Sequence, residues 1–426
     1  MTIENLHALY LQSTGISTDT RKIIKGNIFF ALKGENFNGN LFAEKAIEQG
    51  ASYAIIDEEE FSNNNGKTIL FDNVLKTLQK LAGYHRNYLK IPIIALTGSN
   101  GKTTTKELIN AVLKEKYNTT ATQGNLNNHI GVPLTLLSMN EKTEIGIVEM
   151  GANHPEEIAK LCNIAQPDYG YITNFGKAHL EGFGSIEGVI KAKSELYEYL
   201  KNNNKTVFVN KEDTIQVEKT KTIKSFSFGQ KNTGADIEIK LLDANPYLKL
   251  NFFNTEIESK LLGHYNFLNI AVAIAIGNYF KVAENAIKKG IENYTPGNNR
   301  SQIINLGSNT IILDAYNANP SSMRAALENF NQLDAKGKIV ILGDMFELGP
   351  DAATEHQNIV DYIEQLPLNH AFLVGENFFK TNTNSIKKFK NFEEFKSQLS
   401  NIRFENAHIL IKGSRGMALE RVLDQL

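Results

Sequence analysis

Short apolar runs, each too brief for a helix and rich in β-branched or aromatic residues, recur along this chain with helix-like stretches between them. Residues 1–90 carry IFFAL (Ile28 to Leu32), a helical stretch near Leu41 to Gln49, then SYAIID and TILFD, which predicts a small α/β unit. Pro92 introduces IIALT (Ile93 to Thr97), and the alternation continues through EIGIVEMG, YGYITNFG and KTVFVN, as far as Asn210. Crossovers of this length predict a mostly parallel sheet with helices on both faces. Between Ser225 and Gly263 the segments SFSFG, ADIEIKLL, YLKLNFF and EIESKLLG instead alternate polar and apolar across short breaks, the pattern of a small antiparallel sheet. An apolar helix from about Asn266 to Phe280 follows. YTPGNNRSQ (Tyr294 to Gln302) is dense in turn formers and reads as a linker. Beyond it IILDAY, KIVILGDM, HAFLVGEN and AHILIKGS, each with a helical pattern behind it, predict a second doubly wound unit. NNNGK and KNNNK read as short surface turns.

Composition narrows the classes. At 426 residues the chain is long enough for about three domains, each with its own core. The 45 Lys and Arg nearly balance 47 Asp and Glu, so no whole-molecule charge draws it to nucleic acid or an anionic membrane. Cys162 is the one cysteine, which rules out an internal disulfide or a paired-cysteine metal site and fits a reducing compartment. The first residues lack the basic and then apolar regions of a secretory signal, and no run approaches a membrane span, so the expectation is a cytoplasmic protein.

The candidate chemistry begins at IIALTGSNGKTTTKELINAVL, where a strand, a glycine-rich turn and a helix follow one another around Gly98, Asn100, Gly101, Lys102, Thr103 and Thr104. Glycines let backbone N–H groups close around phosphate oxygens, and the helix start adds its positive end. Lys102 would neutralise the outer phosphates and the Thr103 hydroxyl would take magnesium. Only two residues separate these glycines where the general pattern has four, and a tight turn that happens to carry Gly-Lys is the bland alternative. The expected fold is therefore α/β with three domains: a small N-terminal α/β domain (1–90), a central parallel-sheet P-loop ATPase domain with a small antiparallel sheet (91–297), and a C-terminal Rossmann-like domain (298–426).

Ligands of parallel sheets sit at the carboxyl ends of strands. Glu149 ends EIGIVEMG and His179 lies just past YGYITNFG, so both reach the same crevice. A carboxylate and an imidazole suit magnesium held against phosphate, histidine being the less usual ligand for so hard a cation. Taken singly, Glu149 reads equally as a surface residue and His179 as a satisfied loop histidine.

Together these motifs resemble the Mur ligases, ATP-dependent enzymes that build the peptide of bacterial peptidoglycan, and the likeness runs the full length. TGSNGKTTT is their phosphate loop in its short form, and STDTRKIIKGNIFFALKGENFNG (Ser17 to Gly39) resembles the family's uridine-nucleotide stretch, with Thr20 where serine is usual and Arg21 beside it. Within the family, NLNNHIGVPLTLL (Asn125 to Leu137), LDAYNANPSSM (Leu313 to Met323) and GDMFELG (Gly343 to Gly349) look like the member that joins D-alanyl-D-alanine to UDP-N-acetylmuramoyl-tripeptide. The resemblance implies those two substrates, ATP, two magnesium ions, and no nucleic acid or membrane span; a monomer is expected. It implies catalytic roles for Lys102, His179 and Lys193, and metal binding by Thr103, Glu149, His179 and Lys193. Lys193 aligns with a family lysine that reacts with carbon dioxide, because a carbamate can ligate magnesium and an ammonium cannot; without the family match it reads as a lysine on a solvated helix. Substrate contacts fall to Thr20, Arg21, Asn125, Asn127 and Asn128. Arg300 is placed at the phosphates, Asp314 at the ribose, Tyr316 and Asn317 on the nucleotide side. Lys412, Ser414 and Arg415 resemble the family's terminal stretch, a partner for the dipeptide carboxylate or a plain helix start. The family's adenine-side pattern is glycine, any residue, histidine, asparagine, whereas Gly263-His264-Tyr265-Asn266 puts tyrosine in the histidine place. Asn266 and Asn269 match the family's asparagines, for adenine or simply for a polar helix start. A folylpolyglutamate synthetase of the same superfamily and a nucleotide-gated switch are the rival readings.

Overall fold

The structure, a computed structural model, describes the chain except residues 64, 65, 298, 400 and 401. The middle of the NNNGK turn and Asn298 of the linker therefore lie outside the described residues.

In the first unit, strands Ile16–Ser17, Ile28–Phe30, Tyr53–Ile56 and Thr68–Leu70 form a parallel sheet in that order. Ile28, Phe29 and Phe30 are all buried, as strands covered on both faces must be. Two helices were not foreseen, Ile3–Leu11 and Val74–Leu89. The Asn73 side chain accepts from the Lys76 amide to open the second, and Lys90 closes it in a left-handed conformation (φ 53°) just before Pro92. Val74, Leu78, Leu81, Ala82 and His85 recur at helical spacing and are buried. The four apolar ones join Leu6 and Tyr10 to Val132, Leu136, Leu161 and Cys162 in one apolar cluster. Residue 90 thus marks a change of sheet inside a continuous core.

The central sheet has, among the described residues, nine strands in the order Thr255–Leu262, Tyr247–Phe252, Ile237–Asp243, Lys224–Gly229, Thr206–Asn210, Tyr169–Ile172, Ile93–Thr97, Ile145–Glu149, Thr119–Ala121. Three of the four strands expected in the small antiparallel sheet do pair antiparallel, and the fourth is corrected. Lys224–Gly229, which contains SFSFG, pairs parallel with both of its neighbours, and the antiparallel pairing is confined to Ile237–Asp243, Tyr247–Phe252 and Thr255–Leu262, which continue the same sheet. The helix Thr214–Thr220 returns the chain before that strand as a crossover does. The Ser227 amide (2.7 Å) and hydroxyl (2.6 Å) then bind the Asp236 carboxylate and fold the chain back, so that the next strand starts at the end of this one. Helix Phe267–Tyr279 is buried on nearly every side and packs on Lys102–Leu113.

The third sheet runs Gln302–Leu306, Asn309–Asp314, His408–Lys412, Lys338–Gly343, His370–Val374, Lys387–Phe389, parallel apart from its first pair. The two edge strands escaped the sequence pattern. AHILIKGS is not followed by an α-helix: Ala418, left-handed at φ 47°, separates the 3-10 turns Arg415–Met417 and Leu419–Gln425. Among the described residues no helix is long and apolar enough to cross a membrane.

Candidate functional site

Strand Ile93–Thr97 lies between Ile145–Glu149 and Tyr169–Ile172, so the loops after all three open on one crevice. The central strand turns at Gly98 (φ 145°) and the helix Lys102–Leu113 starts from Gly101 (φ 78°). A Cβ would lie 2.0 Å from Thr173 Oγ1 at Gly98 and 2.6 Å from Asn269 Oδ1 at Gly101, so only glycine fits either place. The loop is pinned from the neighbouring strand end. The Asn100 carbonyl accepts from Thr173 Oγ1 (2.6 Å) and Asn174 Nδ2 (3.0 Å), and Ser99 Oγ donates to the Gly176 carbonyl (2.8 Å). Lys102 is half-buried and folds over its own loop, Nζ donating to the Gly98 carbonyl at 2.7 Å. Burial lowers its pKa, Glu149 opposes that shift, and the Arg300 charge adds to it.

Glu149 is no surface residue, being 1% exposed. One carboxylate oxygen accepts from Thr103 Oγ1 (2.9 Å) and the other from Asn127 Nδ2 (2.8 Å). Asn125, Asn127 and Asn128 line the same cleft, and Asn128 also accepts from the Gly131 amide (2.9 Å). His179 stands there in a left-handed backbone conformation (φ 52°), its Nδ1 against the Glu347 carboxylate of the third domain. That contact, the first of its causes, lowers the Glu347 pKa. Among the described residues no three His, Cys, Asp or Glu side chains gather as a metal cage. The Thr103 and Glu149 oxygens nevertheless fit magnesium, which keeps water and phosphate oxygens and asks only one or two protein ligands.

Lys193 does not line the cleft. It lies behind Ala152, a cleft residue, whose carbonyl accepts from Nζ at 3.2 Å. The side chain is 0% exposed, and burial, with the charge of Lys102, holds its pKa well below the ordinary lysine value. The reading as a solvated helix lysine is therefore corrected. The signal was present: on helix Ile186–Asn202 the buried Val189, Ala192, Leu196, Tyr197 and Leu200 mark a stripe, and position 193 falls on it.

The far wall comes from the linker and the third domain. Asp314 and Lys412 are register partners at adjacent strand ends and pair at 2.6 Å, while the other Asp314 oxygen accepts from the Ser301 amide (3.1 Å). Both carboxylate oxygens are thus already engaged. Ser414 Oγ accepts from the Phe346 amide (2.9 Å), and Arg415 pairs with Glu420 (2.7 Å). The Arg300 guanidinium lies 3.6 Å over the Tyr316 ring, its Nε buried with no hydrogen-bond partner among the described residues. Tyr316 and Asn317 line the cleft. So do Asn266 and Asn269, with their amides in series: Thr105 Oγ1 donates to Asn269 (2.9 Å), Asn269 to Asn266 (2.8 Å), Asn266 to the Leu262 carbonyl (2.8 Å). Thr20 and Arg21 are on the first domain's turn Thr20–Lys22, outside this cleft, with Arg21 paired to Asp19 at 2.9 Å.

Sequence reading missed Asn319, which caps helix Pro320–Gln332 and donates from Nδ2 to Asn100 Oδ1 of the phosphate loop at 2.7 Å. Asparagine before proline was the available helix-start signal. The whole cleft, about 780 Å³, is walled by the phosphate loop on one side and third-domain strand ends on the other. Lys102, Thr103, Glu149, His179, Arg300 and Asp314 share it.

The comparisons with known proteins agree along the chain. Three family patterns match in order: Mur ligase family, catalytic domain (residues 12–86), Mur ligase middle domain (96–277), and Mur ligase, glutamate ligase domain (299–415). UDP-N-acetylmuramoyl-tripeptide--D-alanyl-D-alanine ligase of Bacillus subtilis (strain 168) is 36% identical over 425 residues, 97% of this chain and 93% of that protein. A crystal structure of MurF from Acinetobacter baumannii superposes with a TM-score of 0.87 at 30% identity, covering 98% of this chain and 97% of that one. MurF ligase from Thermotoga maritima, solved in complex with ADP, gives a TM-score of 0.85 at 26% identity, with 97% of each chain covered.

Proposed function

The chain belongs to the Mur ligase family, and from that premise we propose how its cleft joins D-alanyl-D-alanine to UDP-N-acetylmuramoyl-tripeptide. The activity is an ATP-dependent carbon–nitrogen ligation in peptidoglycan synthesis. The observation that carries this reading is the single cleft in which a phosphate loop faces the strand ends of a second domain, with Asn319 touching Asn100. In the ligation the tripeptide carboxylate attacks the γ-phosphorus of ATP, giving an acyl phosphate and ADP. The dipeptide amine then attacks the acyl carbon, phosphate leaves, and the nitrogen loses a proton.

Triphosphate, carboxylate and developing charge repel one another, so positioning and electrostatics dominate. Lys102 swings from the Gly98 carbonyl to the phosphates, and its cost is small because its present bond is to a neutral oxygen. Arg300 supplies a second cation, and Tyr316 and Asn317 border the nucleotide. Asp314, held by Lys412, reaches the ribose only by giving up a contact. Asn266 and Asn269 act through the loop they support as much as toward adenine. Thr103 and Glu149 would hold one magnesium and His179 a second, which together neutralise phosphate and acyl oxygens when bound.

Lys193 is the carbamate candidate. A neutral amine, which burial favours, adds carbon dioxide and releases a proton, and the resulting anion offsets nearby cations. Asn125, Asn127 and Asn128 would meet the tripeptide side, Thr20 and Arg21 the uridine nucleotide. We further propose a cytoplasmic enzyme that acts as a monomer, with domains 1–90, 91–297 and 298–426; the cleft residues named above all come from one chain.

Phosphate release from ATP, assayed with the UDP-tripeptide and a panel of dipeptides, tests the reading. Release that needs both substrates together, with D-alanyl-D-alanine preferred, is expected. ATP turnover indifferent to either substrate would favour a nucleotide switch.

A further inference from the structure

Tyr265 departs from the family pattern, and its hydroxyl has a partner across the domain boundary. Its hydroxyl shares a 2.8 Å hydrogen bond with Ser301 Oγ, across from the central domain to the linker. The Ser301 amide donates to Asp314 Oδ1 at 3.1 Å, and Asp314 is itself fixed by Lys412 at 2.6 Å. An imidazole carries no atom where the phenol oxygen sits, so this hydrogen bond depends on the tyrosine.

The tie falls on an unusual turn. Asn299 (φ 56°) and Ser301 (φ 50°) are both left-handed, flanking Arg300. For a side chain such as serine this conformation is strained and persists only where surroundings hold it. The surroundings are visible: the Tyr316 amide donates to the Asn299 carbonyl (3.2 Å), and Tyr265 and Asp314 grip Ser301. Between these fixed neighbours Arg300 stacks on Tyr316 at 3.6 Å, with Nε unpartnered among the described residues. Arg300 lines the same cleft as Lys102 and the rest of the phosphate loop.

We propose that Tyr265 is a positioning residue: through Ser301 it holds the Asn299–Ser301 turn in the one conformation that aims Arg300 at the outer phosphates of the nucleotide. Burial, with Asp314 nearby, keeps the phenol pKa above its ordinary value, so it stays neutral and able to donate. The proposal rests on the reading of the cleft as an ATP site.

Four variants of the full chain test it: Tyr265→Phe, Ser301→Ala, Arg300→Ala and the double Tyr265→Phe/Arg300→Ala. Affinity for a non-hydrolysable ATP analogue and for AMP is measured beside ligation kinetics and thermal midpoint. Tyr265→Phe and Ser301→Ala should each weaken the ATP analogue by roughly 3–10-fold, the worth of one hydrogen bond. AMP affinity should be unchanged, and KM for ATP should rise more than kcat falls. In the Arg300→Ala background Tyr265→Phe should add nothing, because the two act as one unit. Additive losses, equal weakening of AMP, or losses that follow the thermal midpoint would overturn it. Wild-type protein that binds ATP but never ligates would sink the functional reading alone, since the affinity comparison still decides the role of Tyr265.

Discussion

Lys193 sits on the apolar face of helix Ile186–Asn202, where an ammonium would lose its water for the Ala152 carbonyl, the Phe183 ring at 5.1 Å and the weaker pull of the Glu157 and Glu195 charges. Glu195, two residues on, is occupied at the start of the preceding helix Glu157–Ala165, accepting from the Glu156 (2.7 Å) and Ala159 (2.9 Å) amides. Such burial is costly for a charged lysine and suits a neutral, nucleophilic one. On the carbamate proposal, Lys193→Ala should lower turnover by roughly 10–100-fold or more, the range for disturbing a metal's ligand set. Millimolar small carboxylic acids should restore part of it by putting an anion into the vacated space. Full activity in the unrescued alanine variant would remove the carbamate from the mechanism.

Among elements, the pairing of helices Ile3–Leu11 and Val74–Leu89 makes a prediction about pH. His85 Nε2 is 2.9 Å from the Met139 carbonyl and must donate to it, which leaves Nδ1 to accept from His7 Nε2 at 3.0 Å. Tyr10, Tyr84 and Tyr88 surround the pair, and Glu141 reaches it only through the Tyr88 hydroxyl. Burial depresses both histidine pKa values. A depressed base is protonated in the unfolded chain before the folded one, so the stability it contributes is present above the unfolded pKa and is lost as pH falls through the folded value. The thermal midpoint should therefore drop between about pH 7.5 and about pH 5.5, straddling the ordinary histidine value. His356, also buried with a lowered pKa, adds to the same slope. The decisive comparison is thus His85→Gln, which should melt lower at neutral pH but with a shallower pH dependence. Parallel slopes for the two proteins would remove the pair as a cause.

For the molecule as a whole, the central and third domains meet through an apolar patch, where Leu262 and Tyr247 join the third domain's core, and through a set of polar contacts around the cleft. Asn319 bonds Asn100 (2.7 Å), Ser321 Oγ accepts from the Lys177 amide (3.0 Å), Lys177 pairs with Glu355 (2.6 Å), and His179 meets Glu347. Such polar contacts part and rejoin more readily than apolar ones. Lys177→Glu sets two carboxylates against each other at this seam while leaving both cores untouched. Small-angle scattering should show a larger radius of gyration at low salt, shrinking as salt screens the repulsion. KM for ATP should rise several-fold with little change in thermal midpoint. An unchanged radius together with unchanged KM would mean that this seam does not govern the cleft.

What the sequence determined by itself was local or periodic: the alternation of strands and helices, the glycine turn around Gly98 and Gly101, and Glu149 and His179 at strand ends, since a parallel sheet collects those ends on one edge. The apolar stripe through Lys193 was equally legible, yet a lysine's usual exposure outweighed it. The strand containing SFSFG was misassigned because period-two alternation does not tell a parallel from an antiparallel partner; the crossover helix and the Asp236 tie decide that. Only the tertiary structure showed that Asp314 and Lys412 neutralise each other, that Asn319 touches the phosphate loop, and that Tyr265 reaches Ser301. Those pairs are separated by 98, 219 and 36 residues, so no local propensity selects them. They exist because separate units pack against one another, and the polar groups buried there must find partners wherever the chain has brought them.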